Sequence, residues 1–365
     1  MNKQQVSPQK LFDNSMNMIK RNYIDSKLNG QNIDNWKKRY KGKLNTDEDV
    51  NVAINTVLES LDDPYSKYMD KELYSEQTSS INAKITGIGV NIASIGGKTY
   101  IINVIEGTPA EQSGLKSGDI IVKVNDEEIT GLKTSEVASL VRGEIDTVVK
   151  LSILRDKTTL TKNITRKDIK IKNIKRELEG DIGYIQILSF IGVNTYNEFL
   201  EALTYTYPAK GLIIDLRGNT GGLLPNAVYM ANLFINKGNI VSIVGRNGYK
   251  ETIKAQKTDY VIDKPVVLLI DENSASASEI FSGALKDYNK AILVGTKTYG
   301  KGMVQRIIPL PNETGMNLTI AKYLTPNNTD INKKGIEPDI KVPYEGGKTD
   351  NQKEVAKAII KDLIK

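Results

Sequence analysis

Short apolar runs alternate with amphipathic stretches from Gly183 onward, and only a narrow set of folds accepts this order. Strands that are joined by helices form βαβ units, which build a mostly parallel sheet. The predicted strands are Tyr184–Leu188, Gly211–Leu216, Pro265–Ile270 and Ala291–Gly295. The predicted helices are Thr195–Thr206, Pro225–Ile235 and Ser278–Asp287. This part of the chain indicates an α/β core with its ligand site at the carboxyl ends of the strands.

The first 80 residues are mostly polar and have helical periodicity. Apolar residues recur every three to four positions from Leu11 to Tyr23, which predicts an amphipathic helix. A second helix begins after the N-cap Thr46 and stops before Pro64. Because the region has few large apolar residues, we expect it to pack on the rest of the chain or on a second copy.

Between these two parts lies a segment of short β-branched runs separated by glycine turns. The predicted strands there are Ile85–Ile92, Thr99–Val104, Ile120–Val124 and Val148–Leu154, and the predicted helices are Ala110–Ser113 and Thr134–Val141. The segment is typical of a small β-barrel with two helices. With an amphipathic helix at Lys353–Lys365, we expect four regions: residues 1–80, 81–165, 166–345 and 346–365.

The chain contains no histidine and no cysteine among its 365 residues. This excludes a Ser-His-Asp triad, a thiol nucleophile, a disulfide and any metal site built on imidazole or thiolate. Acid–base chemistry near pH 7 must therefore come from Lys, Asp, Glu or Tyr.

Charge and hydropathy favour neither nucleic acid nor membrane. The 50 Lys and Arg against 44 Asp and Glu give a net charge of +6, and the densest basic stretch, Lys162–Arg176, has no interleaved aromatic residues. We interpret that stretch as a solvated strand. The longest apolar run, Val266–Ile270, is far too short to span a membrane, and Met1–Phe12 has no signal-peptide pattern. These residues alone point to the cytoplasm, although an exported protein without its leader would look the same.

Two loops that follow predicted strands have residues suited to chemistry. Glycines in Asp215–Gly222 let the backbone approach a substrate and present N–H donors, as in an oxyanion hole, or they form a structural turn. The run Asp271–Ile280 would place a serine hydroxyl at a helix start, as in a nucleophile elbow, or its small residues allow close helix–sheet packing. The residues alone leave both alternatives open.

A serine nucleophile here would need lysine as its base. Burial would have to lower the lysine pKa from about 10.4 toward roughly 7–8. Lys297 and Lys301 both follow the predicted strand Ala291–Gly295, and Lys301 lies between two glycines. Lys301 is therefore the better candidate for a cleft.

The run Thr86–Val90 contains a Gly-x-Gly turn whose N–H groups could bind an anion. Ile92 occupies the place of the third glycine of a dinucleotide fingerprint, which excludes that function. The alternatives are an ordinary glycine turn and a nest for a peptide's terminal carboxylate.

The downstream run Gly107–Asn125 resembles the PDZ domain, with the pattern G-x-P-A-x-x-x-G-L-x-x-G-D-x-I-x-x-V-N. The resemblance implies a carboxylate-binding loop formed by Gly87, Ile88, Gly89 and Val90. It also implies a groove helix at Thr134–Val141 that ends at Arg142.

Taken together, the motifs resemble the carboxyl-terminal processing (tail-specific) peptidases, which are serine–lysine proteases with a PDZ domain. The motifs are Leu61–Tyr68, the PDZ run, Asp215–Gly222, Ser274–Glu279, Tyr299–Gln305, Tyr323–Pro326 and Gly335–Asp339. The resemblance implies a crotonase/ClpP-like βαβ protease core, an inserted PDZ β-barrel and a helical N-terminal region. It implies no metal and no cofactor.

The family's site residues fall on particular positions of this chain. Ser276 would be the nucleophile and Lys301, 25 residues later, the general base, oriented by Gln305 one helical or loop turn on. Glu279 would be an accessory group, and the N–H groups of Gly222 (or Gly221) and Ala277 would form the oxyanion hole. Arg142 matches the arginine through which the PDZ domain can communicate with the active site.

The resemblance also implies the substrates, the location and the oligomeric state of the protein. The substrates would be proteins with free carboxyl termini, and the protein would work outside the cytoplasm, anchored by a leader absent from this chain. The terminal helices would allow a homo-oligomer. Two positions depart from the family pattern, Asp146 and Asn328, each standing where glycine is usual. The alternatives are a non-catalytic PDZ adaptor on a protease-like scaffold and a crotonase-type acyl-transfer enzyme.

Overall fold

The structure, a computed structural model, describes residues 5–81, 85–169, 172–258, 261–347 and 349–365. It divides into two compact units. One spans Met1–Ile81 and Lys172–Lys365 and is called the core unit below; the other, Asn82–Ile171, is called the inserted unit.

The N-terminal part of the core unit is helical, as predicted. Its elements are α1 Pro8–Asn22, α2 Ile33–Tyr40, α3 Asp47–Glu59, β1 Lys67–Met69 and α4 Lys71–Ile81. Thr46 caps α3, because its hydroxyl accepts the Asp49 N–H while the Asp49 carboxylate accepts the Thr46 N–H. The apolar faces of α1 and α3 share one core with Ile308, Leu310, Met316 and Leu318. The prediction that this region packs on the rest of the chain is therefore confirmed.

The inserted unit contains eight strands and two helices within its described residues. They are β2 Ile85–Gly87, β3 Val90–Ile95, β4 Lys98–Val104, α5 Pro109–Gln112, β5 Ile120–Val124, β6 Glu127–Glu128, α6 Thr134–Val141, β7 Val148–Arg155, β8 Thr158–Thr165 and β9 Lys167–Ile169. The main sheet has the order β3-β4-β5-β7-β8, with β6 beside β5, and β2 pairs with β9. The strand β3 therefore lies at an edge of its sheet.

The rest of the core unit begins with the alternation that the sequence predicts. Its elements are β10 Ile174–Glu179, β11 Ile182–Ile187, α7 Thr195–Tyr205, β12 Gly211–Asp215, α8 Leu224–Asn232, β13 Asn239–Gly245, β14 Lys250–Lys254, β15 Val266–Ile270, α9 Ala277–Asp287 and β16 Ile292–Gly295. The strands β11, β12, β15 and β16 pair in parallel, and β10 joins β11 antiparallel. The predicted parallel sheet is confirmed.

A second, antiparallel sheet was not predicted. It consists of β1, β13, β14 and a hairpin of β17 Met303–Pro309 and β18 Gly315–Leu324. The strand β18 pairs with β17 along most of its length and with β1 and β13 at its two ends. This hairpin joins the N-terminal helices to the segment that carries Lys301.

The chain ends with β19 Ile340–Lys341, which extends the parallel sheet beside β16, and α10 Asn351–Leu363. Ala356 and Ile360 of α10 are fully buried against the parallel sheet. The apolar faces of the terminal helices are thus used within the chain. No helix in the described ranges is both long and apolar enough to cross a bilayer.

The interpretation of Lys162–Arg176 as a single strand is wrong. The stretch runs through the end of β8, all of β9 and the start of β10, which belong to three different sheets. Lys170 and Ile171 lie outside the described residues. The side chain of Arg166 is buried rather than solvated, because its guanidinium donates to the carbonyls of Leu140 and Val141.

Candidate active site

Three serines follow β15, and the structure separates them by their hydroxyl partners. Ser274 is fully buried, and its Oγ donates to the Leu216 carbonyl and lies 3.0 Å from Asp271 Oδ1. Ser278 is fully buried, and its Oγ donates to the Asn219 carbonyl. Ser276 is half-buried, and its Oγ has no hydrogen bond within the described residues. Only the middle serine of this run therefore has a hydroxyl available for chemistry.

The backbone at Ser276 is strained. Its φ of 56° and ψ of −113° lie outside the regions that residues with a Cβ prefer, at a cost of about 1–3 kcal/mol. The helix α9 begins immediately afterwards at Ala277, whose N–H donates no hydrogen bond in the described structure. A strained turn between a strand and a helix exposes the nucleophile in the α/β-hydrolase fold.

The glycine loop after β12 lies directly against this turn. A Cβ on Gly221 would come within 2.9 Å of the Ser276 Cβ, so a side chain is excluded there. The Gly221 N–H donates to Asn219 Oδ1, whereas the exposed Gly222 has an N–H without a hydrogen bond in the described residues. Of the two glycines considered for an oxyanion hole, Gly222 is the one with a free donor.

Asn219 fastens the two loops to each other, a role that the sequence analysis missed. Its side-chain Nδ2 donates to the Ile187 carbonyl, and its own carbonyl accepts from Ala275 N–H and Ser278 Oγ. Asn219 is fully buried. An asparagine within a glycine loop was the available signal, because Asn often bonds to backbone groups nearby.

The two candidate lysines differ in their surroundings. Lys297 is exposed and forms an ion pair with Glu337 at 3.2 Å. Lys301 is half-buried, and its Nζ has neither a hydrogen bond nor an ion pair among the described residues. Burial lowers the pKa of Lys301, while the carboxylates of Asp63 and Glu279 offset part of this effect.

Glu279 connects the serine turn to the lysine loop. The side chain is fully buried, and its Oε2 accepts the N–H groups of Ser276 at 2.9 Å and Lys301 at 2.8 Å. Its Oε1 accepts from the Gly300 N–H and from Thr298 Oγ1. The carboxylate thus holds the backbones of both candidate residues.

Gln305 is not placed as the sequence analysis expects. It lies on the strand β17, not one helical or loop turn after Lys301, and its Nε2 is 3.4 Å from Thr319 Oγ1. No hydrogen bond links it to Lys301, and none links Ser276 Oγ to Lys301 Nζ, within the described structure.

The inserted unit places its predicted loop at the start of the edge strand. The N–H groups of Ile88 and Gly89 donate no hydrogen bond within the described residues, and β3 begins at Val90. Gly89 has a φ of 90°, and a Cβ there would overlap Thr108. Gly87 ends β2 immediately before this loop.

The helix predicted at Thr134–Val141 is confirmed as α6, and the exposed Arg142 is its C-cap. Asp146, which stands where the family has glycine, adopts the glycine-like φ of 65°, and Asn328 likewise has a φ of 61°. Arg166 bonds the last carbonyls of α6, which the sequence analysis did not foresee. In the described residues, no group of three or more acidic side chains could hold a metal ion.

Three family models match successive parts of the chain. The model of peptidase family S41 matches residues 181–342, and that of the PDZ domain matches residues 86–165. A third model, for the N-terminal domain of the activating protease CtpB, matches residues 2–73.

Individual relatives match most of the length of this chain. The carboxy-terminal processing protease CtpA of Bacillus subtilis (strain 168) is 37% identical, over 93% of this chain and 77% of its own length. A carboxy-terminal-processing protease of Bartonella bacilliformis is 38% identical, over 80% of this chain and 69% of its own. The solved structure of the photosystem II D1 C-terminal processing protease has a TM-score of 0.64 at 28% identity, covering 99% of this chain and 98% of that one.

Proposed function

The chain belongs to peptidase family S41, among the carboxy-terminal processing serine proteases, and we propose that Ser276 and Lys301 form its catalytic dyad. In this proposal the substrates are unstructured or misfolded proteins, which are cut near their carboxyl termini. The observation that carries the proposal is the availability of these two side chains. Among the described residues, Ser276 Oγ and Lys301 Nζ have no hydrogen-bond or ion-pair partner, whereas the hydroxyls of Ser274 and Ser278 and the amine of Lys297 do.

The proposed reaction begins with a neutral Lys301. Its amine takes the proton of Ser276 Oγ, which attacks the scissile carbonyl and forms a tetrahedral intermediate. The N–H groups of Gly222 and Ala277 donate to the oxyanion. The protonated Lys301 then gives its proton to the departing amine, and water hydrolyses the acyl-enzyme in a second cycle.

Proton transfer needs the two side chains to meet. In this structure they are not hydrogen-bonded, and such contacts often tighten only in the substrate complex. Because Glu279 fixes both backbones, we propose that the approach occurs by rotation of the Ser276 and Lys301 side chains. Gln305 orients the lysine only if its side chain leaves Thr319.

Recognition of the tail is assigned to the inserted unit. The N–H groups of Ile88 and Gly89, which have no acceptor among the described residues, would bind the substrate's terminal carboxylate. The tail would add as a strand beside Val90 of β3. Arg142, at the end of α6, would be the residue through which tail binding is communicated to the active site. The partners of the protein are, in this proposal, the carboxyl termini of other proteins.

The first test follows cleavage of an unfolded protein with an apolar tail, by gel electrophoresis. We expect Ser276→Ala and Lys301→Ala to lower kcat/KM by at least about 10³-fold. Lys297→Ala is the matched control, because this neighbouring lysine is paired on the surface and should leave the rate unchanged. Equal cleavage by all variants would contradict the site, and an inert wild type that binds the tail would favour the adaptor.

A further inference from the structure

The turn between α3 and β1 lies beside the proposed base, although the mechanism above gives it no role. Asp63 holds this turn together, because its carboxylate accepts the N–H of Tyr65 at 3.0 Å and the hydroxyl of Ser66 at 2.6 Å. Ser66 Oγ in turn accepts the N–H of Thr319 on β18, also at 3.0 Å. The turn is therefore fixed to the hairpin that follows Lys301.

The ring of Tyr65 faces the end of the lysine side chain. Lys301 Nζ lies 5.0 Å from the centroid of the ring, and both side chains are half-buried. This distance is within the range at which an ammonium interacts with an aromatic face. Nζ has no polar partner in the described residues. The ring covers a side of the amine at which water or a carboxylate could otherwise bind.

The charged and titratable groups around Lys301 come from three elements. Asp63 and Tyr65 belong to the turn, Glu279 belongs to α9, and Tyr299 precedes Lys301 in its own loop. The Asp63 and Glu279 carboxylates are both engaged with other donors. Burial outweighs their attraction, since the pKa of Lys301 is lowered despite them.

We propose that Tyr65 is a positioning residue for the reaction, whose ring covers the Lys301 amine against water and fixes the direction of its side chain. This inference rests on the proposed function of Lys301. A lysine ammonium is strongly hydrated, so water stabilises it better than a ring face does. Removing the ring therefore favours the charged form, which cannot accept the Ser276 proton.

The test measures the pKa of Lys301 without using activity. The full-length protein is labelled with acetic anhydride over a range of pH, and acetylation of the Lys301 peptide is followed by mass spectrometry. We expect Tyr65→Ala to raise the pKa of Lys301 toward its ordinary value of 10.5. The acid limb of the kcat/KM profile should move to higher pH by the same amount. At a pH below the wild-type pKa, kcat/KM should fall about tenfold for each pKa unit of that rise.

Two controls separate the ring from other effects. Tyr65→Phe keeps the ring and should leave both the Lys301 pKa and the pH profile as in the wild type. Lys297, labelled in the same samples, should be acetylated to the same extent in every variant. If Tyr65→Ala does not fold, Tyr65→Gln replaces the ring with a hydrated side chain, and the inference requires the pKa to rise there too.

The outcomes distinguish this inference from the proposed function. A wild-type Lys301 that titrates at its ordinary value would contradict the role of Lys301 as a neutral base. A low wild-type value that Tyr65→Ala or Tyr65→Gln leaves unchanged would overturn the role of Tyr65 and leave the dyad intact.

Discussion

Glu279 has no exposed surface, and each of its carboxylate oxygens accepts two hydrogen bonds. Three of the four donors are backbone N–H groups, those of Ser276, Gly300 and Lys301. A carboxylate is suited to this position because it is the one common side chain that accepts without donating. Position 279 therefore determines where the backbones of the proposed nucleophile and the proposed base lie relative to each other.

We expect Glu279→Gln to lower both activity and stability. The amide NH₂ would face at least one backbone N–H donor, which would lose its partner at a cost of about 1–3 kcal/mol. Thermal and chemical unfolding should show a loss of about 1–3 kcal/mol, and kcat should fall at conditions where the variant is fully folded. Glu272→Gln is the control, because Glu272 is exposed and, in the part of the chain that the structure describes, accepts a hydrogen bond from Thr296 Oγ1 alone. Wild-type kcat in Glu279→Gln would contradict this account.

The sequence identified some of these residues but not their contacts. Ser276 and Lys301 were identified through the family's motifs and spacing. The pattern of residues Asp271–Ile280 alone left two interpretations open, a nucleophile elbow and small residues that allow close helix–sheet packing. The contact between Tyr65 and Lys301 joins residues that are far apart in the chain, so no local pattern could predict it. Glu279 was expected near the site, but its backbone bonds depend on how the lysine loop folds over α9.

Among the elements, α10 has a specific connection to the glycine loop. Arg217, which follows β12, donates to the carboxylates of Asp215 and Asp350, and Asp350 is the N-cap of α10. Gln352 accepts from Arg217 and donates to the Val342 carbonyl. The start of the last helix is thereby attached to the segment that leads into Gly218–Gly222.

The ion pair between Arg217 and Asp350 should make stability depend on pH. Burial tends to raise the pKa of Asp350, but the hydrogen bonds from Arg217 and from Lys353 N–H outweigh it and hold the pKa below its ordinary 3.8. A lowered carboxyl pKa contributes stability above about pH 4–5, and that stability is lost as the pH falls through the folded-state value.

Asp350→Asn isolates this contribution, because asparagine still caps the helix. We expect the free energy of unfolding to fall by about 1–3 kcal/mol at pH 7. The difference from wild type should shrink as the pH is lowered below about 4, as measured by urea unfolding at several pH values. A difference that stays constant down to pH 2 would show that the ion pair is not its source.

Whether a strand could be predicted from the sequence depends on its pattern of buried residues. The parallel strands β12 and β15 are buried at every residue and read as continuous apolar runs bounded by turns. The strand β18 is covered on both faces, with small and polar residues among its buried positions, so neither an apolar run nor a clean alternation marks it. This is why the parallel sheet was predicted and the antiparallel sheet was missed.

At the scale of the whole molecule, the two candidate sites lie in different compact units. Each unit has its own apolar core: the inserted unit is built around residues such as Val124, Val149 and Leu151, and the parallel sheet of the core unit has a separate cluster. In the proposed function, tail binding and peptide-bond cleavage therefore belong to different units. We expect a change as small as Ser276→Ala to leave tail binding at the loop Gly87–Val90 unchanged.

We expect Ser276→Ala to bind a peptide with an apolar carboxyl-terminal residue as tightly as the wild type, measured by fluorescence polarisation. The same peptide with a terminal carboxamide should bind at least about tenfold more weakly, because it lacks the charge that the Ile88 and Gly89 N–H groups would bind. Gly89→Ala, which would overlap Thr108, is the matching loss-of-binding variant. Equal affinities for acid and amide would contradict this loop assignment.

The shared core of α1, α3 and the β17–β18 hairpin also limits how the molecule can be divided. The family models treat residues 2–73 and 181–342 as separate pieces. A recombinant fragment starting after Met69 would retain Ser276 and Lys301, yet it would leave Ile308, Leu310, Met316 and Leu318 uncovered on the sheet. Such a surface favours self-association, so the proteolytic module that can be expressed as an independent, dispersed protein must include the N-terminal helices.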